Sequence, residues 1–313
     1  MADFPLVTIG IANYNYAEFI TQALESVANL HYGNCEIIIV DDCSKDNSVQ
    51  VIEQWINNYP GNWKISFIRN AQNTGVANVC NLILQNASGK YYQILDADDL
   101  LKSDKLEEQV AVLENDEKIA LTYSNISVID ENNEIIEEDY LKRIGFDKNN
   151  MPEGNVLNEL LMFNFIPNPS VLIRTEYAKQ IGGYDLSFQV QDYYLYLTLS
   201  EHFSFSYSNC ITGYYRVHSD SLSNNIQSNS KSVEGSLKLQ YLNFSKGNKK
   251  AKASIRKSIF NMAPYFYKHR FPSAGFWLRK NAIMNPGVKS VGYFAAYNLG
   301  IPYSIFDKIK SKD

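Results

Sequence analysis

The sequence predicts an α/β protein in which a mostly parallel, Rossmann-like sheet carries helices on both faces and is followed by a helical extension. Two observations lead to this fold class. Short apolar runs alternate with amphipathic helical patterns through the first hundred residues, which is typical of a parallel sheet covered on both faces. Polar and acidic residues directly follow several of these runs, at the strand ends where such sheets bind ligands.

The N-terminal elements follow from this alternation. Apolar runs rich in β-branched residues predict buried strands at 6–12, 35–40, 65–68 and 91–95. Apolar residues that recur every three or four positions predict helices near 19–27, 49–56, 76–86 and 103–115. Each predicted strand therefore leads into a helix.

The rhythm changes after residue 115. We expect a hairpin over 120–136 with its tip at 131–134, and then a polar, mobile stretch over 137–154. Residues 168–217 mix short strands with one helix that starts near Asp192. These segments complete a domain predicted over residues 1–220.

The extension, residues 221–313, has a helical pattern from about residue 230, with breaks expected at Pro264, Pro272 and Pro286-Gly287. It is also basic. Residues 231–313 contain 13 Lys and 3 Arg against three acidic residues, a net charge of +13, whereas the whole chain has −5. This asymmetry predicts an acidic partner or a membrane surface for the extension, or alternatively a basic helical face in water.

The end of the extension could supply an interfacial face beside Lys308, Lys310 and Lys312. Its aromatic and apolar members are Tyr293, Phe294, Tyr297, Ile301, Tyr303 and Phe306. The sequence shows neither a signal peptide nor an apolar run of membrane-spanning length, and its four Cys are scattered without metal-ligand spacing. We expect a cytoplasmic protein, either free or at the inner face of the membrane. We expect no nucleic-acid partner.

Three carboxylates lie within four residues at Asp96, Asp98 and Asp99, after an apolar strand. Asp96 and Asp98 are two residues apart and so point to the same side of an extended strand end. Such a pair repels itself unless a cation shares the site, and Mg²⁺ or Mn²⁺ binds one or two carboxylates together with substrate phosphates. A strand end followed by a helix cap would explain one Asp but not three. The cluster predicts a divalent metal and a diphosphate-bearing substrate.

Several ordered motifs resemble those of the inverting family 2 nucleotide-sugar glycosyltransferases, which have the GT-A fold. "VTIGIANYN" resembles the first strand and nucleotide-binding turn, "IIIVDDCSKDNS" the second strand, "NTGVANVCN" the Asn-x-Gly turn, and "ILDADDLL" the metal motif. The resemblance covers roughly residues 5–220 and implies a nucleotide-binding half over 1–100 and an acceptor half over 101–220. The nucleotide-binding residues that it implies are Ala12, Tyr14, Asn15, Asp41, Asp42, Asn73, Gly75 and Asp96. Within this set, Asp42 is assigned to the base and Asp96 to the ribose, while Asp98 is implied as a metal ligand.

Two later motifs extend the match. "IGGYDLSFQVQDYYLYLTL" resembles the family's turn before an acidic pair, whose second carboxylate is the general base, here Asp192. Gln191 stands where the family has the first acid. "YYRVHSDSLS" resembles the closing Arg-x-His motif, which implies that His218 reaches the metal or the diphosphate. The resemblance thus implies Mn- or Mg-dependent, inverting transfer from a nucleoside diphosphate sugar, with UDP favoured, to a glycan or lipid-linked glycan in surface polysaccharide synthesis.

Each of these residues has a plainer alternative. Asp192 could cap its helix, and His218 could be an ordinary core or surface histidine. Tyr14 could pack beneath its turn, and Asp41 and Asp42 could bind only backbone amides of their own loop.

The rival functions are a sugar-nucleotide nucleotidyltransferase, a phosphatase with an Asp-x-Asp motif, and an inactive carbohydrate-binding or scaffold protein.

Overall fold

A computed structural model describes residues 4–219 and 226–305, with residues 226–230 as backbone only. The chain forms two compact units, residues 1–235 and 236–313. The predicted boundary at residue 220 lies outside the described residues. The strands are β1 Val7–Asn13, β2 Cys35–Asp41, β3 Lys64–Arg69, β4 Tyr91–Asp96, β5 Leu100–Leu101, β6 Ile119–Ile129, β7 Ile135–Glu137, β8 Leu172–Arg174 and β9 Ser204–Arg216.

The helices alternate with the first four strands and dominate the second unit. They are α1 Ile20–Ala28, α2 Ser48–Asn58, α3 Val76–Asn86, α4 Lys105–Asn115, α5 Tyr140–Arg143, α6 Leu157–Met162, α7 Thr175–Gln180, α8 Gln191–Ser200, α9 Ile226–Leu242, α10 Lys249–Lys268, α11 Ala274–Met284 and α12 Val288–Asn298. Short 3₁₀ turns lie at Asn168–Ser170 and Phe244–Lys246. The division between the two units falls within α9.

The sheet of the first unit has the strand order β3-β2-β1-β4-β8-β6-β9-β5, and β7 pairs with β6. The four strands from β3 to β4 are parallel, as predicted, and β6 and β9 form a further parallel pair. Strands β1 and β2 are buried along nearly their whole length because helices cover both faces. This confirms the predicted α/β class with a mostly parallel sheet.

The second half of this unit is richer in elements than predicted. The hairpin is present as β6 and β7, but β6 also pairs in parallel with the 13-residue strand β9. Residues 168–217 hold two helices, α7 and α8, rather than one. The six-residue α7 is too short to give a periodic pattern of its own.

In the second unit, the break predicted at Pro264 was wrong, because Pro264 lies inside the 20-residue helix α10. A proline there removes one backbone hydrogen bond. Buried residues on both sides of it, Ile259 and Ala263 before and Phe266 after, hold the helix in the core across this position. The other two predicted breaks do separate helices, at Pro272 and at Pro286-Gly287.

The interfacial face predicted near the C-terminus is partly packed inward. Tyr293 is 3% exposed, and its ring stacks on Tyr303 with the centroids 5.8 Å apart. Tyr267 donates a hydrogen bond to the carbonyl of Ile301. Phe306 and the three terminal lysines lie outside the described residues. In the part of the chain that is described, no helix is both long and apolar enough to span a bilayer.

Candidate active site

The carboxyl ends of the parallel strands bring the predicted polar clusters to one rim. In the β1–β2 pair Asn13 lies opposite Asp41, and in the β1–β4 pair Ala12 lies opposite Asp96. The Asn13 amide donates to Asp41 Oδ2 at 2.7 Å and so joins the first two strand ends directly. The expectation that these clusters share one edge of the sheet is confirmed.

Asp41 and Asp42 are both buried and both bind loop groups of the protein. Asp41 accepts hydrogen bonds from the amide and the hydroxyl of Ser44, in its own loop. Asp42 accepts from the Thr74 amide and hydroxyl, from the Gly75 amide and from the Asn70 side chain, all within 3.0 Å. These contacts go beyond backbone amides of their own loop, because Asp41 also binds the Asn13 side chain and Asp42 binds residues 70–75 after β3. The pair thus holds the rim loops, and the contact of Asp42 with a base stays a prediction.

The pKa of Asp42 reflects these contacts. Burial raises it, but the hydrogen bonds from Asn70, Thr74 and Gly75 outweigh burial and leave the pKa below its ordinary value. Gly75, with φ +86°, sits in the left-handed region at the start of α3. Asp42 thus fixes the Asn73-Thr74-Gly75 turn beside the rim.

We expect Asp42→Asn to lower the free energy of unfolding by about 1–3 kcal/mol at neutral pH, because an amide cannot accept from so many donors. A depressed folded-state pKa stabilises above the ordinary Asp pKa and loses that effect as the pH falls through the folded value. The difference from the natural chain should therefore shrink in acid. Urea titrations at several pH values measure it, with exposed Asp147→Asn as the control. A difference that stays constant with pH would contradict this account.

The turn after β1 faces outward. Asn15 adopts φ 60°, receives a bond from the Lys45 amide on its side-chain oxygen, and donates its own amide to Ser44. Tyr14 is 40% exposed, so it is not enclosed beneath the turn. Asn73 and Gly75 are also exposed, and Ala12 is half-buried. These groups line the rim at the surface, where a nucleotide can reach them.

Asp96, Asp98 and Asp99 lie at the end of β4 and in the turn before β5, and we call these three residues the acidic corner. Asp98 is buried, and its Oδ2 lies 3.2 Å from His218 Nε2. The His218 ring packs against Phe19, with centroids 4.7 Å apart, and edge-on against Tyr16. His218 is thus a buried histidine beside a carboxylate, an arrangement that fits both the predicted role and the alternative of an ordinary core histidine.

The carboxylates of the acidic corner repel one another and so disfavour their charged forms. Burial and then the charges of Asp98 and Asp192 raise the pKa of Asp96 to about 7. Burial, Asp98 and Asp96 raise the pKa of Asp99 well above its ordinary range. Asp99 does not begin a helix, since its carboxylate accepts the Arg216 amide at 2.9 Å in the turn before β5. Burial and the neighbouring carboxylates therefore disfavour the charged forms of Asp96 and Asp99 in this corner.

Arg216 fixes the backbone of the acidic corner. Its side chain is fully buried and donates to the carbonyls of Asp98 and Asp130 and to the Gln22 side chain, at 2.8–2.9 Å. Its guanidinium also lies over the Phe19 ring. No role was predicted for this arginine, although it is the first residue of the Arg-x-His motif that contains His218.

We expect Arg216→Ala to lower the free energy of unfolding by about 3 kcal/mol, because it leaves several buried acceptors unsatisfied. Chemical denaturation followed by circular dichroism measures the change. Arg69→Ala is the control, since Arg69 forms an ion pair with Glu53 that is exposed on both sides and should matter little. Equal effects of the two substitutions would show that the buried contacts add nothing.

Asp192 lies in the first turn of α8. The N-cap of this helix is Val190, which makes no side-chain capping bond, and Asp192 is the second helical residue. Its carboxylate accepts backbone amides of the first turn, so the alternative of a helix-capping role is not excluded by position. Burial raises the pKa of Asp192, while hydrogen bonds from the Tyr193 amide and the Asn164 side chain act in the opposite direction. The charge of Asp192 contributes to the raised pKa of Asp96, so the predicted base lies near the acidic corner.

Asn168 connects the two sides of the site and was not predicted. Its amide donates to Asp96 Oδ2 at 3.3 Å, and its oxygen accepts from the Tyr196 hydroxyl of α8 at 3.1 Å. The following carbonyl of Pro169 accepts from Lys105 Nζ and from Gln93 Nε2. Burial lowers the pKa of Lys105 well below its usual range. Two buried side chains therefore fix the loop that presents Asn168 to Asp96.

Asp98 and His218 would hold a divalent cation only if a substrate supplied the remaining ligands. Across residues 4–219 and 226–305, no group of three or more His, Cys, Asp or Glu side chains is arranged to hold a metal by itself. Asp98 and His218 supply two adjacent donors, and the carboxylates of Asp96 and Asp99 lie close to them. Mg²⁺ and Mn²⁺ accept such a partial set when phosphate oxygens complete it. The residues present therefore suit a metal shared with a diphosphate.

The fold and the rim of carboxylates define an enzyme of the α/β class with its site at the strand ends. Comparison with known proteins names the family, since the sequence model described as "Glycosyl transferase family 2" matches residues 8–166, about half of the chain. The chain belongs to glycosyltransferase family 2. A phosphatase or a nucleotidyltransferase is thereby excluded.

Relatives and solved structures agree with this family. The chain is 33% identical over 224 residues to the UDP-Glc:alpha-D-GlcNAc-diphosphoundecaprenol beta-1,3-glucosyltransferase WfaP of Escherichia coli, covering 70% of this chain and 80% of that protein. It is 29% identical over 180 residues to an uncharacterized glycosyltransferase of Haemophilus influenzae, covering 58% of this chain but only 55% of the relative. The mannosyltransferase PcManGT from Pyrobaculum calidifontis, solved with GDP-Man and Mn²⁺, superposes with a TM-score of 0.63 at 15% identity, covering 99% and 84% of the two chains. The GT-A fold expected from the motifs is confirmed.

Proposed function

We propose that this glycosyltransferase moves a sugar from a UDP-sugar, with inversion and with the help of Mn²⁺ or Mg²⁺, to a hydroxyl of a glycan on a lipid carrier. The observation that carries the proposal is the convergence of Asp96, Asp98, His218 and Asp192 at one strand-end corner of a family 2 fold. A scaffold protein without activity would have no need to keep so many like charges together.

The donor is assigned to the rim formed by β1, β2 and β4. Tyr14, Asn15, Asn73 and Gly75 are accessible there for the base and ribose. In this proposal Asp96 accepts from ribose hydroxyls, and the hydrogen bond from Asn168 to one of its oxygens supports the assignment by fixing the carboxylate. UDP is favoured because the Escherichia coli relative is named for UDP-Glc.

Catalysis requires one base and a means of stabilising the leaving diphosphate. Asp98 and His218 would hold the metal, which offsets the negative charge that develops on the diphosphate. Asp192 accepts the proton of the acceptor hydroxyl as its oxygen attacks the anomeric carbon. The bond from that carbon to the diphosphate oxygen breaks in the same displacement, so the configuration inverts. Burial keeps the Asp192 pKa raised, which makes this carboxylate a better proton acceptor than an exposed Asp.

We assign the acceptor to the class that appears in the name of the Escherichia coli relative, which is a sugar linked through diphosphate to undecaprenol. Such an acceptor is anchored in a bilayer, so the enzyme must work at a membrane surface. The basic second unit supports contact with the anionic inner leaflet, where each Lys or Arg near the surface contributes about 1 kcal/mol. We therefore propose a cytoplasmic enzyme that associates peripherally with the membrane and acts in surface polysaccharide synthesis.

The proposal is tested by incubating the purified chain with a panel of nucleotide sugars and GlcNAc-diphosphoundecaprenol, with Mn²⁺ or with EDTA. We expect UDP release and a glycolipid product with UDP-Glc or a related UDP-sugar, and only with the metal. Proton NMR of the product should show an anomeric configuration opposite to that of the donor. Turnover that is insensitive to EDTA, or a product with retained configuration, would overturn the mechanism.

A further inference from the structure

The second unit carries an apolar surface that nothing in the described structure covers. Val288, Val291 and Ala295 of α12 and Leu299 at its C-cap follow one another at spacings of three, four and four residues, which places them on one side of the helix. All four are exposed, Val288 to 95% and Leu299 to 75%. Ile283, 64% exposed, lies in the last turn of the preceding helix, before the Pro286-Gly287 turn. We call these five residues the α12 stripe.

The opposite side of α12 is committed to the core of the unit. Ser290, Tyr293 and Ala296 are buried, and the Ser290 hydroxyl donates to the carbonyls of Asn285 and Gly287 at the start of the helix. The Tyr293 ring stacks on Tyr303. The orientation of the helix is thus fixed by its buried side, and the outward position of the stripe follows from it.

The charge around the stripe identifies the kind of surface that it fits. Residues 236–305 contain nine Lys and three Arg and not a single Asp or Glu. Arg279 and Lys289, one on each helix beside the stripe, are exposed. A second copy of the same unit would bring like charges together, which disfavours self-association through this face. An anionic lipid surface is complementary in charge and also takes up apolar side chains.

We propose that the α12 stripe is the part of the molecule that enters the bilayer, with the surrounding Lys and Arg side chains against anionic headgroups. This inference rests on the proposed membrane contact of the transferase and specifies which face makes it. The contact is not made by the aromatic set around Tyr293, whose ring is buried. An amphipathic helix of this kind lies in the interface plane with its apolar side about 5–10 Å into the headgroup boundary.

Co-sedimentation of the full chain with vesicles tests the inference. Vesicles of phosphatidylcholine alone are compared with vesicles that also contain phosphatidylglycerol, at low and high salt. We expect binding to increase with phosphatidylglycerol and to weaken with salt. Val288→Gln with Val291→Gln should reduce the partition into the anionic vesicles about tenfold, because two apolar side chains no longer enter the interface. Gln leaves the charge unchanged and suits a helix at least as well as Val.

The matched control is Ile135→Gln with Ile136→Gln on β7, which removes two exposed apolar side chains from the first unit. This control should bind vesicles as the natural chain does. Equal binding by the α12 variant and the natural chain would overturn the inference. So would failure of the natural chain to bind anionic vesicles, or a dimer in sedimentation velocity that only the α12 variant abolishes.

A separate measurement keeps this inference distinct from the proposed function. UDP release from UDP-sugar is followed without vesicles, using a soluble acceptor analogue, and should be the same in the natural chain and in both double variants. Vesicle binding without any turnover would refute the proposed function and leave the membrane face standing. Turnover by a chain whose vesicle binding does not depend on the α12 stripe would refute the membrane face and leave the proposed function standing.

Discussion

Asp192→Asn is expected to lower kcat by roughly 10²–10⁴-fold, the usual effect of losing a general base, while the fold and the affinity for UDP stay unchanged. The amide keeps the size of the carboxylate in the first turn of α8 but cannot take the acceptor proton. Steady-state kinetics with saturating donor measures the loss. Glu176→Gln is the matched control, since Glu176 is an exposed acid in the first turn of α7.

The pH dependence gives an independent check on the same residue. The base works only when it is deprotonated, so the rate should fall as the pH drops through the pKa of Asp192. Because burial raises that pKa, the acid limb of kcat against pH should lie above the range of an ordinary Asp. An Asp192→Asn enzyme that keeps both its rate and its acid limb would mean that another group removes the proton.

The first half of the fold could be predicted because its signals are local. Strands such as β2 are buried throughout and appear as unbroken apolar runs, and helices such as α1 bury a regular apolar row. The parallel direction of these strands then follows from the strand–helix alternation. The shared rim of Asn13, Asp41 and Asp96 is a consequence of that common direction, since the carboxyl ends of parallel strands lie at one edge.

The second half could not be predicted in the same way, because its pairings join segments that are distant in sequence. The parallel pairing of β6 with β9 joins residues about ninety positions apart, and nothing in either strand encodes the other. The two-residue strand β5 exists only through its pairing with β9. Pro264 shows a related limit, since the packed side of α10 outweighs a local helix-breaking signal.

The site shows the same contrast. Asp98, Asp192 and His218 stand in motifs and were identified from the residues around them. Arg216 and Asn168 act through partners remote in sequence, such as the carbonyl of Asp130 and the carboxylate of Asp96. A single sequence carries no record of such contacts. Asp42 was singled out correctly as a rim residue, but its contacts with Thr74 and Gly75 suggest a role in holding the turn.

Asp98→Asn is expected to lower turnover by about 10³-fold and to remove the effect of Mn²⁺ on UDP affinity. The carboxylate is buried beside His218, and its replacement takes one charged oxygen from a site that offers few protein ligands. Loss of metal-assisted charge stabilisation amounts to several kcal/mol of the barrier, which corresponds to about this factor in rate. Asn has nearly the same shape, so the turn held by Arg216 should persist.

Isothermal titration of UDP in the presence of Mn²⁺ and of EDTA separates binding from chemistry in this variant. The natural chain should bind UDP more tightly with Mn²⁺, and Asp98→Asn should bind it equally weakly in both conditions. Asp116→Asn, an exposed carboxylate that accepts only the nearby Lys118 amide, is the control and should retain the metal effect. If the natural chain binds UDP equally well with Mn²⁺ and with EDTA, the carboxylates of this corner serve a donor that needs no metal. In that case the positive charge that offsets the diphosphate must come from the protein itself.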